Sequence, residues 1–342
     1  MIARTGRLSN WGVLALVLLL SGCTTALAPP GPAIVQPAVL EGNFIMPDGI
    51  RLPYRAWLPD GKPAAVILAL HGMNDSRDAW EYPAPDFAAA GMAVFAPDQR
   101  GFGATATRGH WAGTEGLVSD AVTMARLLRA RYPGAKLVLM GESMGGAVLM
   151  VAATSADPPP ADGYVLIAPA VWSRTEMGIG PRLLLWAAHG TVPGWVVTGR
   201  GFVHVTASNN RAALVRLSTD PLTLIGTRVD AIHGLVDLMD AAFAAAPRFH
   251  APALVMYGGH DQLVPPEATV ATWKALPPGA IRAFYPSNYH LMLRDKERAA
   301  PIGDIVDWIA HPDWGGLISG ADQNAALCPS AVVPPPCPAR TP

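Results

Sequence analysis

Short apolar runs alternate along this chain with longer segments in which apolar residues recur at helical spacing. A hairpin pattern covers residues 41–58, where apolar and polar positions alternate on either side of the turn sequence Pro47-Asp48-Gly49. Strand and helix patterns then follow one another as far as residue 168, which predicts an α/β fold: a mostly parallel central sheet with helices on both faces. The predicted strands span residues 64–70, 92–96, 135–140 and 163–168, and the predicted helices span 76–90, 115–131 and a segment from 144.

An insertion separates the sixth predicted strand from the next one, which begins at Ala253. Residues 171–248 are rich in Trp, Leu and Met and include a helical pattern from Val229 to Ala245, which predicts a helical cap over the sheet edge. Roughly three quarters of its apolar residues are expected to pack the cap onto the core, because apolar residues at helical spacing are core by default. The remainder is available to line a pocket for an apolar substrate.

The segment Gly141-Glu142-Ser143-Met144-Gly145 lies between the strand pattern 135–140 and a helix pattern. A serine at such a turn is held in strained backbone angles with its hydroxyl above the sheet edge, and the glycines leave room for the crowded strand and helix. GxSxG alone is a weak signal, because the chain has 34 glycines. The strand-turn-helix context makes Ser143 the candidate nucleophile.

Two further candidates follow later strand patterns. Asp261 comes shortly after the strand 253–257, and His290 comes shortly after the strand 282–285. Open parallel sheets bind ligands at the carboxyl ends of their strands, so both side chains are expected near Ser143. His290 would accept the serine proton and return it to the leaving group, while Asp261 holds the imidazole tautomer. Either residue alone is usually structural, and the order Ser, Asp, His supports catalysis.

The apolar strand 64–70 ends at His71-Gly72-Met73-Asn74, where an oxyanion hole is expected. The backbone N–H groups of Met73 and Met144 are the predicted donors, and each such donor contributes about 3 kcal/mol in comparable sites. His71 is an alternative catalytic base. Its position before the oxyanion turn favours a structural, hydrogen-bonding role instead.

The chain contains five short segments in a fixed order: HGMN at 71–74, PDQRGFG at 97–103, GESMGG at 141–146, GGHDQLVP at 258–265 and NYH at 288–290. Together they resemble the α/β-hydrolase family, in the branch of monoacylglycerol lipases, bacterial lysophospholipases and related serine-peptidase-like hydrolases. The resemblance covers about residues 41–312 and implies the α/β-hydrolase fold, with Ser143, Asp261 and His290 as the triad. It also implies Met73 and Met144 as the oxyanion donors.

Monoacylglycerol lipases have a segment like HGxGEHS where this chain has HGMNDS at residues 71–76. This departure weakens a monoglyceride assignment and leaves the esterase chemistry intact. The segment 98–103 also suggests a carboxylate nucleophile or a phosphate loop. No Lys followed by Ser or Thr completes such a loop, and Ser143 stands where a nucleophilic Asp would. We expect local hydrogen bonds from Asp98 and Arg100.

The N-terminus has the pattern of an export signal. Arg4 and Arg7 precede the apolar run 11–20, and Leu20-Ser21-Gly22-Cys23 follows, which predicts a signal peptide over residues 1–22. The apolar run is too short for the roughly 20 residues that cross a bilayer. LSGC resembles a bacterial lipoprotein signal and implies a lipid on Cys23, with an ordinary secretory signal as the alternative.

Lipid attachment implies a place in the bacterial cell envelope. Two or more acyl chains make anchoring stable. Thr24 follows Cys23 at the position where an Asp typically retains lipoproteins at the inner membrane. This favours attachment to the outer membrane, facing the periplasm. The proline-rich residues 23–40 are predicted to form a semi-rigid tether. The hydrolase core is predicted to consist of residues 41–170 and 249–312. The proline-rich residues 313–342 are predicted to form a disordered tail.

The net charge and the cysteine positions indicate which partners, disulfides and metal sites to expect. Removal of residues 1–22 takes two arginines and no acid, so the net charge moves from −1 to −3. Nucleic acid is not an expected partner, because phosphate binding requires a concentrated basic surface. Cys328 and Cys337 can pair in an exported compartment. No Cys/His cluster has zinc spacing, so neither a metal nor a cofactor is expected.

These observations predict a lipid-anchored serine hydrolase that cleaves carboxylic esters of lipid-like substrates, of lysophospholipid or monoacylglycerol type, through an acyl-enzyme on Ser143. One alternative is a peptidase of the same fold, which requires a group to bind a peptide N-terminus. Another is a non-catalytic envelope lipoprotein that uses the fold as a binding scaffold, although such a protein has no need for all three catalytic groups.

Overall fold

The computed structural model describes residues 25–198, 205–311 and 317–321, and within them one nine-stranded sheet organises the chain. Its strands are β1 (Ala38–Leu40), β2 (Asn43–Ile45), β3 (Arg51–Trp57), β4 (Ala65–Leu70), β5 (Met92–Pro97), β6 (Lys136–Glu142), β7 (Gly163–Ile167), β10 (Ala253–Gly258) and β11 (Ile281–Tyr285). A separate antiparallel pair consists of β8 (Val196–Thr198) and β9 (Gly226–Arg228).

The strand order in the large sheet is β1-β2-β3-β5-β4-β6-β7-β10-β11. β1, β2, β3 and β5 pair antiparallel in turn, and the strands from β5 to β11 in that order are parallel. Every residue of β4, β5 and β10 is buried. This is why these strands read as continuous apolar runs, since a parallel strand is covered on both faces.

Helices cover both faces of the sheet, as the sequence predicts. Leu117, Met150 and Leu238 belong to the core on one face, and Phe87 and Trp308 belong to the core on the other. The helices are α1 (Ala84–Ala89), α2 (Thr114–Arg131), α3 (Met144–Ala153), α4 (Ile179–Thr191), α5 (Arg211–Thr219), α6 (Val229–Ala245), α7 (Pro266–Ala275) and α8 (Ala299–Ala310), with 3₁₀ turns at Arg77–Trp80, Ala246–Arg248 and Met292–Arg294.

The predicted helix over residues 76–90 is wrong. The segment forms the 3₁₀ turn Arg77–Trp80, which Ser76 caps by accepting a hydrogen bond from the Asp78 N–H, and then the short helix α1. Pro83 precedes α1 and Pro85 lies in its first turn. Because proline has no N–H to donate and restricts the residue before it, a continuous helix cannot pass through this segment.

The position of the cap in the strand count also differs from the prediction. The cap follows the seventh strand, β7, because the unpredicted three-residue strand β1 pairs with β2 at the edge of the sheet. The cap is not purely helical, since β8 and β9, which lie before and after α5 in the sequence, form a short antiparallel pair. Its two long helices differ in burial: α6 buries nine residues and α4 buries none.

The described part of the proline-rich segment that is predicted as a semi-rigid tether lies along the protein body. Ile34 and Val35 both donate their N–H groups to the carbonyl of Pro47, at 2.8 and 3.0 Å. Earlier in the segment, the Gly31 N–H donates to Asp48 and the Ala28 N–H donates to the Trp111 carbonyl. Proline supports this arrangement, because its restricted backbone loses little entropy when an extended segment is docked.

Some predictions fall on residues outside those described. They are the signal peptide 1–22, Cys23, and the cysteines Cys328 and Cys337. Of the predicted tail 313–342, the described part is 317–321, where the Ser319 N–H bonds to Asp304 of α8 at 2.9 Å. No helix in the described parts of the chain is both long and apolar enough to cross a bilayer.

Candidate active site

Ser143 lies at the turn between β6 and α3 with backbone angles φ 53° and ψ −115°. Few non-glycine residues adopt such angles, and the surrounding structure must hold them. The Ser143 N–H donates to the Ile167 carbonyl of β7 at 2.9 Å, and the Ser143 carbonyl accepts from Ala147 and Ala170. A Cβ on Gly145 would lie 2.2 Å from the carbonyl oxygen of Leu70, so the turn requires glycine there.

Asp261 and His290 form a buried pair at the carboxyl ends of β10 and β11. His290 Nδ1 lies 2.7 Å from Asp261 Oδ2. The other carboxylate oxygen of Asp261 accepts hydrogen bonds from the N–H groups of Leu263 and Val264, at 2.8 and 3.0 Å. The carboxylate is therefore fixed on both sides and keeps the Nδ1–H tautomer of His290, which leaves Nε2 as the proton acceptor.

The pKa of His290 lies above its ordinary value. Burial by itself lowers this pKa, but the charge and hydrogen bond of Asp261, together with the charge of Glu142, outweigh the burial. An imidazolium at this position is thus stabilised by the carboxylate that contacts it. This is the electrostatic property that a general base needs when it takes a proton from a hydroxyl group.

The turn after β4 approaches the nucleophile closely. A Cβ on Gly72 would lie 3.3 Å from Ser143 Cβ, which places the predicted oxyanion loop beside the serine. Asn74 has φ 64°, a left-handed conformation that Asn and Gly adopt most easily. The family pattern HGxGEHS has glycine at this position, and glycine also adopts a positive φ readily. The Asn74 side chain also donates to Thr227 Oγ1 of the cap at 2.6 Å.

His71 occupies a structural position behind this loop. Its Nε2 accepts the Gln99 N–H at 3.0 Å, so its Nδ1 carries the proton and donates to the Gly72 carbonyl at 2.7 Å. Burial lowers the pKa of His71, with the nearby charge of Asp75 opposing that effect. Both ring nitrogens are therefore used to shape the oxyanion loop, in agreement with the structural role that its position indicates.

Beneath the loop lies an ion cluster that sequence reasoning missed. Arg294 is buried, and its Nη2 donates to Asp75 Oδ2 at 2.6 Å and to Glu142 Oε2 at 2.7 Å. Arg294 therefore joins the oxyanion loop to the residue that precedes the nucleophile. Burial raises the pKa of Glu142, an effect that the Arg294 charge opposes. The available signal was Glu142 itself, a buried acid that ends the strand directly after the buried apolar run 137–140 and Gly141.

The loop that carries His290 is held by Asp295. One oxygen of this carboxylate accepts the Tyr289 N–H at 2.7 Å and the Asn288 side-chain amide at 3.2 Å. The other accepts the Ser208 hydroxyl of the cap at 2.6 Å. The Leu291 N–H also donates to the Ala207 carbonyl. The cap and the loop of the candidate base are thus joined by several hydrogen bonds.

The segment 98–103 makes the local contacts that the sequence predicts for it. The Asp98 carboxylate accepts hydrogen bonds from the Arg77 backbone and side chain, both at 2.7 Å, and from the Ala104 N–H. Arg100 is buried and pairs with Asp48 and Asp120. Asp98 and Arg100 are therefore engaged in the scaffold. In the described residues, no group of three or more His, Cys, Asp or Glu side chains is arranged to hold a metal ion.

The sequence profile of the family described as Serine aminopeptidase, S33, matches residues 61–297. The chain belongs to this family. It is 26% identical to a monoacylglycerol lipase of Mycolicibacterium smegmatis over 79% of this chain and 96% of that protein. It is 25% identical to a monoglyceride lipase of Rattus norvegicus over 79% of this chain and 90% of that protein.

Solved structures agree with the fold. A monoacylglycerol lipase of Paleococcus ferrophilus superposes with a TM-score of 0.64 at 24% identity, over 75% of this chain and 98% of that one. A soluble variant of monoglyceride lipase from Saccharomyces cerevisiae gives a TM-score of 0.67 at 17% identity, over 82% of this chain and 98% of that one. These structures confirm the predicted α/β-hydrolase fold, and the family profile together with the lipase relatives confirms its branch that contains monoacylglycerol lipases.

Proposed function

We propose that this chain is a serine hydrolase that cleaves carboxylic esters of lipid-like substrates, of monoacylglycerol or lysophospholipid type. One observation carries the chemistry: a serine in a strained strand-to-helix turn lies at the same sheet edge as a buried Asp–His pair. Ser143, Asp261 and His290 follow the chain order Ser, Asp, His that this fold uses. The family membership and the relatives named as lipases support the same reaction class.

In the proposed reaction, His290 Nε2 accepts the proton of the Ser143 hydroxyl while Oγ attacks the ester carbonyl. The oxyanion receives hydrogen bonds from the N–H groups of Met73 and Met144. Met144 is the first residue of α3, and the first N–H groups of a helix have no intrahelical partner. The imidazolium, stabilised by Asp261, then protonates the leaving alcohol, and the acyl group remains on Ser143.

Water completes the cycle. His290 takes a proton from a water molecule, which attacks the acyl-enzyme, and the tetrahedral intermediate again places its charge on the Met73 and Met144 amides. Collapse of this intermediate releases the fatty acid and returns the proton to Ser143.

The first test is covalent labelling of the full chain with a fluorophosphonate. The wild type is expected to be labelled, and Ser143→Ala is expected to lose both the label and ester hydrolysis, by about 10⁴-fold or more, with little change in stability. Ser218→Ala is the matched control, because Ser218 is an exposed serine of α5. Wild-type turnover in Ser143→Ala would show that the nucleophile assignment is wrong.

The second test addresses the substrate. If apolar cap residues line an acyl pocket, kcat/KM for p-nitrophenyl esters should rise about fourfold per carbon, since each buried methylene contributes about 0.8 kcal/mol. A peptidase would instead cleave aminoacyl-arylamides with little dependence on fatty chains. A flat ester profile with acetate preferred would remove the lipid assignment and leave a general esterase.

We also propose that Cys23 carries a lipid that anchors the protein in the bacterial cell envelope, at the outer membrane facing the periplasm. The sequence Leu20-Ser21-Gly22-Cys23 after a short apolar run supports this proposal. Metabolic labelling with a fatty-acid analogue should mark the wild type and leave Cys23→Ser unlabelled. A mature N-terminus elsewhere, with no lipid mass on Cys23, would contradict it.

A further inference from the structure

Two histidines lie face to face between the two long helices of the cap. His189, in the last turn of α4, stacks on His233 of α6, with ring centroids 4.0 Å apart and ring planes 18° from parallel. Both residues are half-buried, and neither belongs to the proposed catalytic site. Histidine is the side chain whose charge changes nearest to physiological pH, so the contact between α4 and α6 contains two groups that can gain a charge there.

The hydrogen bonds of His233 require a neutral ring. Its Nδ1 lies 3.2 Å from Asp237 Oδ2, and its Nε2 lies 3.4 Å from Arg174 Nη2. Because a guanidinium group can only donate, Nε2 must accept this bond, and Nδ1 must carry the proton that is donated to Asp237. A second proton, on Nε2, would point at the Arg174 cation and break the bond.

The position of Arg174 is fixed by two acids of α6. Its side chain pairs with Asp237 at 2.6 Å and with Asp240, and its backbone N–H donates to Asp240 at 2.6 Å. Arg174 would lose these bonds if it turned away from His233. The cation therefore stays beside the imidazole when that ring takes up a proton.

The pKa of His233 lies below its ordinary value of 6.5. Burial is the largest cause, the charge of Asp237 opposes it, and the charges of His189 and Arg174 lower the pKa further. The neutral form is thus favoured while α4 rests on α6. This stabilisation of the contact is fully present above about pH 6.5 and is lost as the pH falls below it toward the lowered pKa of His233.

Other charges around the two helices carry the same sign or are engaged elsewhere. Arg182 of α4 lines the same pocket as His233 and adds a positive charge. Asp230, at the start of α6, is paired with Arg228, and Asp120 of α2, which also packs against α6, is paired with Arg100. The helix α3, which packs on α6 as well, has no ionisable side chain. Within the described residues, Asp237 therefore balances a charge on His233, and no carboxylate pairs with His189.

The helix that can leave this contact is α4. Nine residues of α6 are buried and none of α4 is, and Leu185 is the residue of α4 that packs, partly buried, against the core. An open pocket of about 250 Å³ already lies beside the pair, with Leu185, Trp186 and His233 among its lining residues. Segments with few buried apolar contacts open at a smaller free energy than the core of a domain. Displacement of α4 would therefore disturb little of the core.

We propose that the His189–His233 pair is a pH-sensitive contact, which holds α4 against α6 at neutral pH and releases it when both rings are protonated in mildly acidic solution. Two stacked imidazolium rings repel each other across a half-buried interface, and His233 then loses its bond to Arg174. Release withdraws Leu185 and Trp186 from the pocket. The consequence for substrates rests on the proposed function: an acyl chain in this pocket loses these apolar walls, so the preference for long chains falls at acidic pH.

Hydrogen exchange of the full chain, read by mass spectrometry, tests the release directly. After correction for the intrinsic pH dependence of amide exchange, protection of residues 180–191 should fall about tenfold or more between about pH 8 and about pH 5. Protection of α2 should stay constant, which shows that the core remains folded. Unchanged protection of residues 180–191 across this range would overturn the proposal.

A substitution of His189 separates the charge from the stacking of the rings. His189→Phe keeps an aromatic ring and cannot gain a charge, so residues 180–191 should stay protected at both pH values. His250→Gln is the matched control, because His250 is an exposed histidine just before β10, and it should behave as the wild type. A loss of protection in His189→Phe that follows pH as in the wild type would overturn the assignment to the histidines.

Asp237→Asn tests the electrostatics without altering either ring. Asn keeps an acceptor oxygen for His233 Nδ1 and removes the charge that raises the pKa of His233. The midpoint of the release should therefore move to lower pH, a shift that a structural role of Asp237 alone would not produce. This result decides the question even where His189→Phe packs poorly. A midpoint that stays in place or rises would contradict the proposal.

A ratio of two rates tests the consequence for the substrate. At each pH, kcat/KM for p-nitrophenyl octanoate is divided by kcat/KM for p-nitrophenyl acetate, so that the titration of His290, common to both reactions, cancels. The ratio should fall about fourfold or more in acidic solution in the wild type and stay constant in His189→Phe. An equal fall in both proteins would overturn the link to the substrate. Protection that depends on pH, with no hydrolysis of either ester, would refute the proposed function and retain the pH-sensitive contact.

Discussion

Arg294→Met should destabilise the protein more than any exposed ion-pair variant. The substitution keeps much of the side-chain length and removes the cation that contacts Asp75 at 2.6 Å and Glu142 at 2.7 Å. Loss of one partner of a buried ion pair costs about 3–5 kcal/mol, because the remaining charge stays buried and uncompensated. For a domain of this size, about 2–4 °C of Tm corresponds to each kcal/mol, so a decrease of about 6–20 °C is expected.

The assay is thermal unfolding followed by circular dichroism, with esterase rates measured well below the transition. Activity should fall about 10²-fold in the folded variant, since Asp75 belongs to the loop that carries a proposed oxyanion donor and small misplacements are costly there. Arg126→Met is the control: its pair with Asp157 is largely exposed and such pairs contribute at most about 1 kcal/mol. The double variant Arg294→Met/Glu142→Gln should regain part of the lost stability. A decrease in Tm no larger than that of Arg126→Met would refute the reasoning.

Three further predictions concern the site. Catalysis needs neutral His290, whose pKa is raised, so kcat/KM should rise with pH through a midpoint above the ordinary value of 6.5. Asp261→Asn should move this midpoint to lower pH and cut kcat by about 10⁴-fold. An unmoved midpoint would contradict the assignment of Asp261. Gly145→Ala should prevent correct folding of the turn, because the added Cβ would lie 2.2 Å from a carbonyl oxygen. The measurements are soluble yield and fluorophosphonate labelling, which should both be lost. Gly180→Ala is the control; it has open space around it and should be neutral or stabilising by about 0.5–1 kcal/mol. Asn74→Gly should keep most of the esterase activity and Asn74→Val should lose it, because Asn74 has φ 64°, which glycine adopts easily and a β-branched residue does not. Equal rates in the two variants would show that this backbone conformation is unimportant.

The sequence predicts the local features of this fold well. The strands of the parallel sheet are found within one or two residues of their predicted ends, because a strand covered on both faces requires an apolar residue at every position. The helix predicted from Val229 to Ala245 has the same ends in the structure, and its period of buried residues is the reason. Ser143 can be recognised from the sequence because the glycines, the strand and the helix that flank it are its neighbours along the chain.

Features that depend on contacts between residues far apart in the sequence could not be predicted from local patterns. Arg294 lies 219 residues from Asp75 and 152 residues from Glu142, so no local spacing connects them. The cap was expected to bury most of its apolar residues, and α6 does so, but α4 does not. Apolar periodicity indicates a helix and an apolar surface; it does not say whether another part of the same chain or an external partner covers that surface.

The hydrogen bonds between the cap and the loop of His290 have a consequence for heat inactivation. Asp295 joins Tyr289 to Ser208, and the Leu291 N–H bonds to Ala207, so the position of the base depends on cap residues. Surface segments open at a smaller free energy than the core of a domain. On heating, esterase activity should therefore decay at temperatures where the sheet is still intact, and cooling should restore it as long as only the cap has opened.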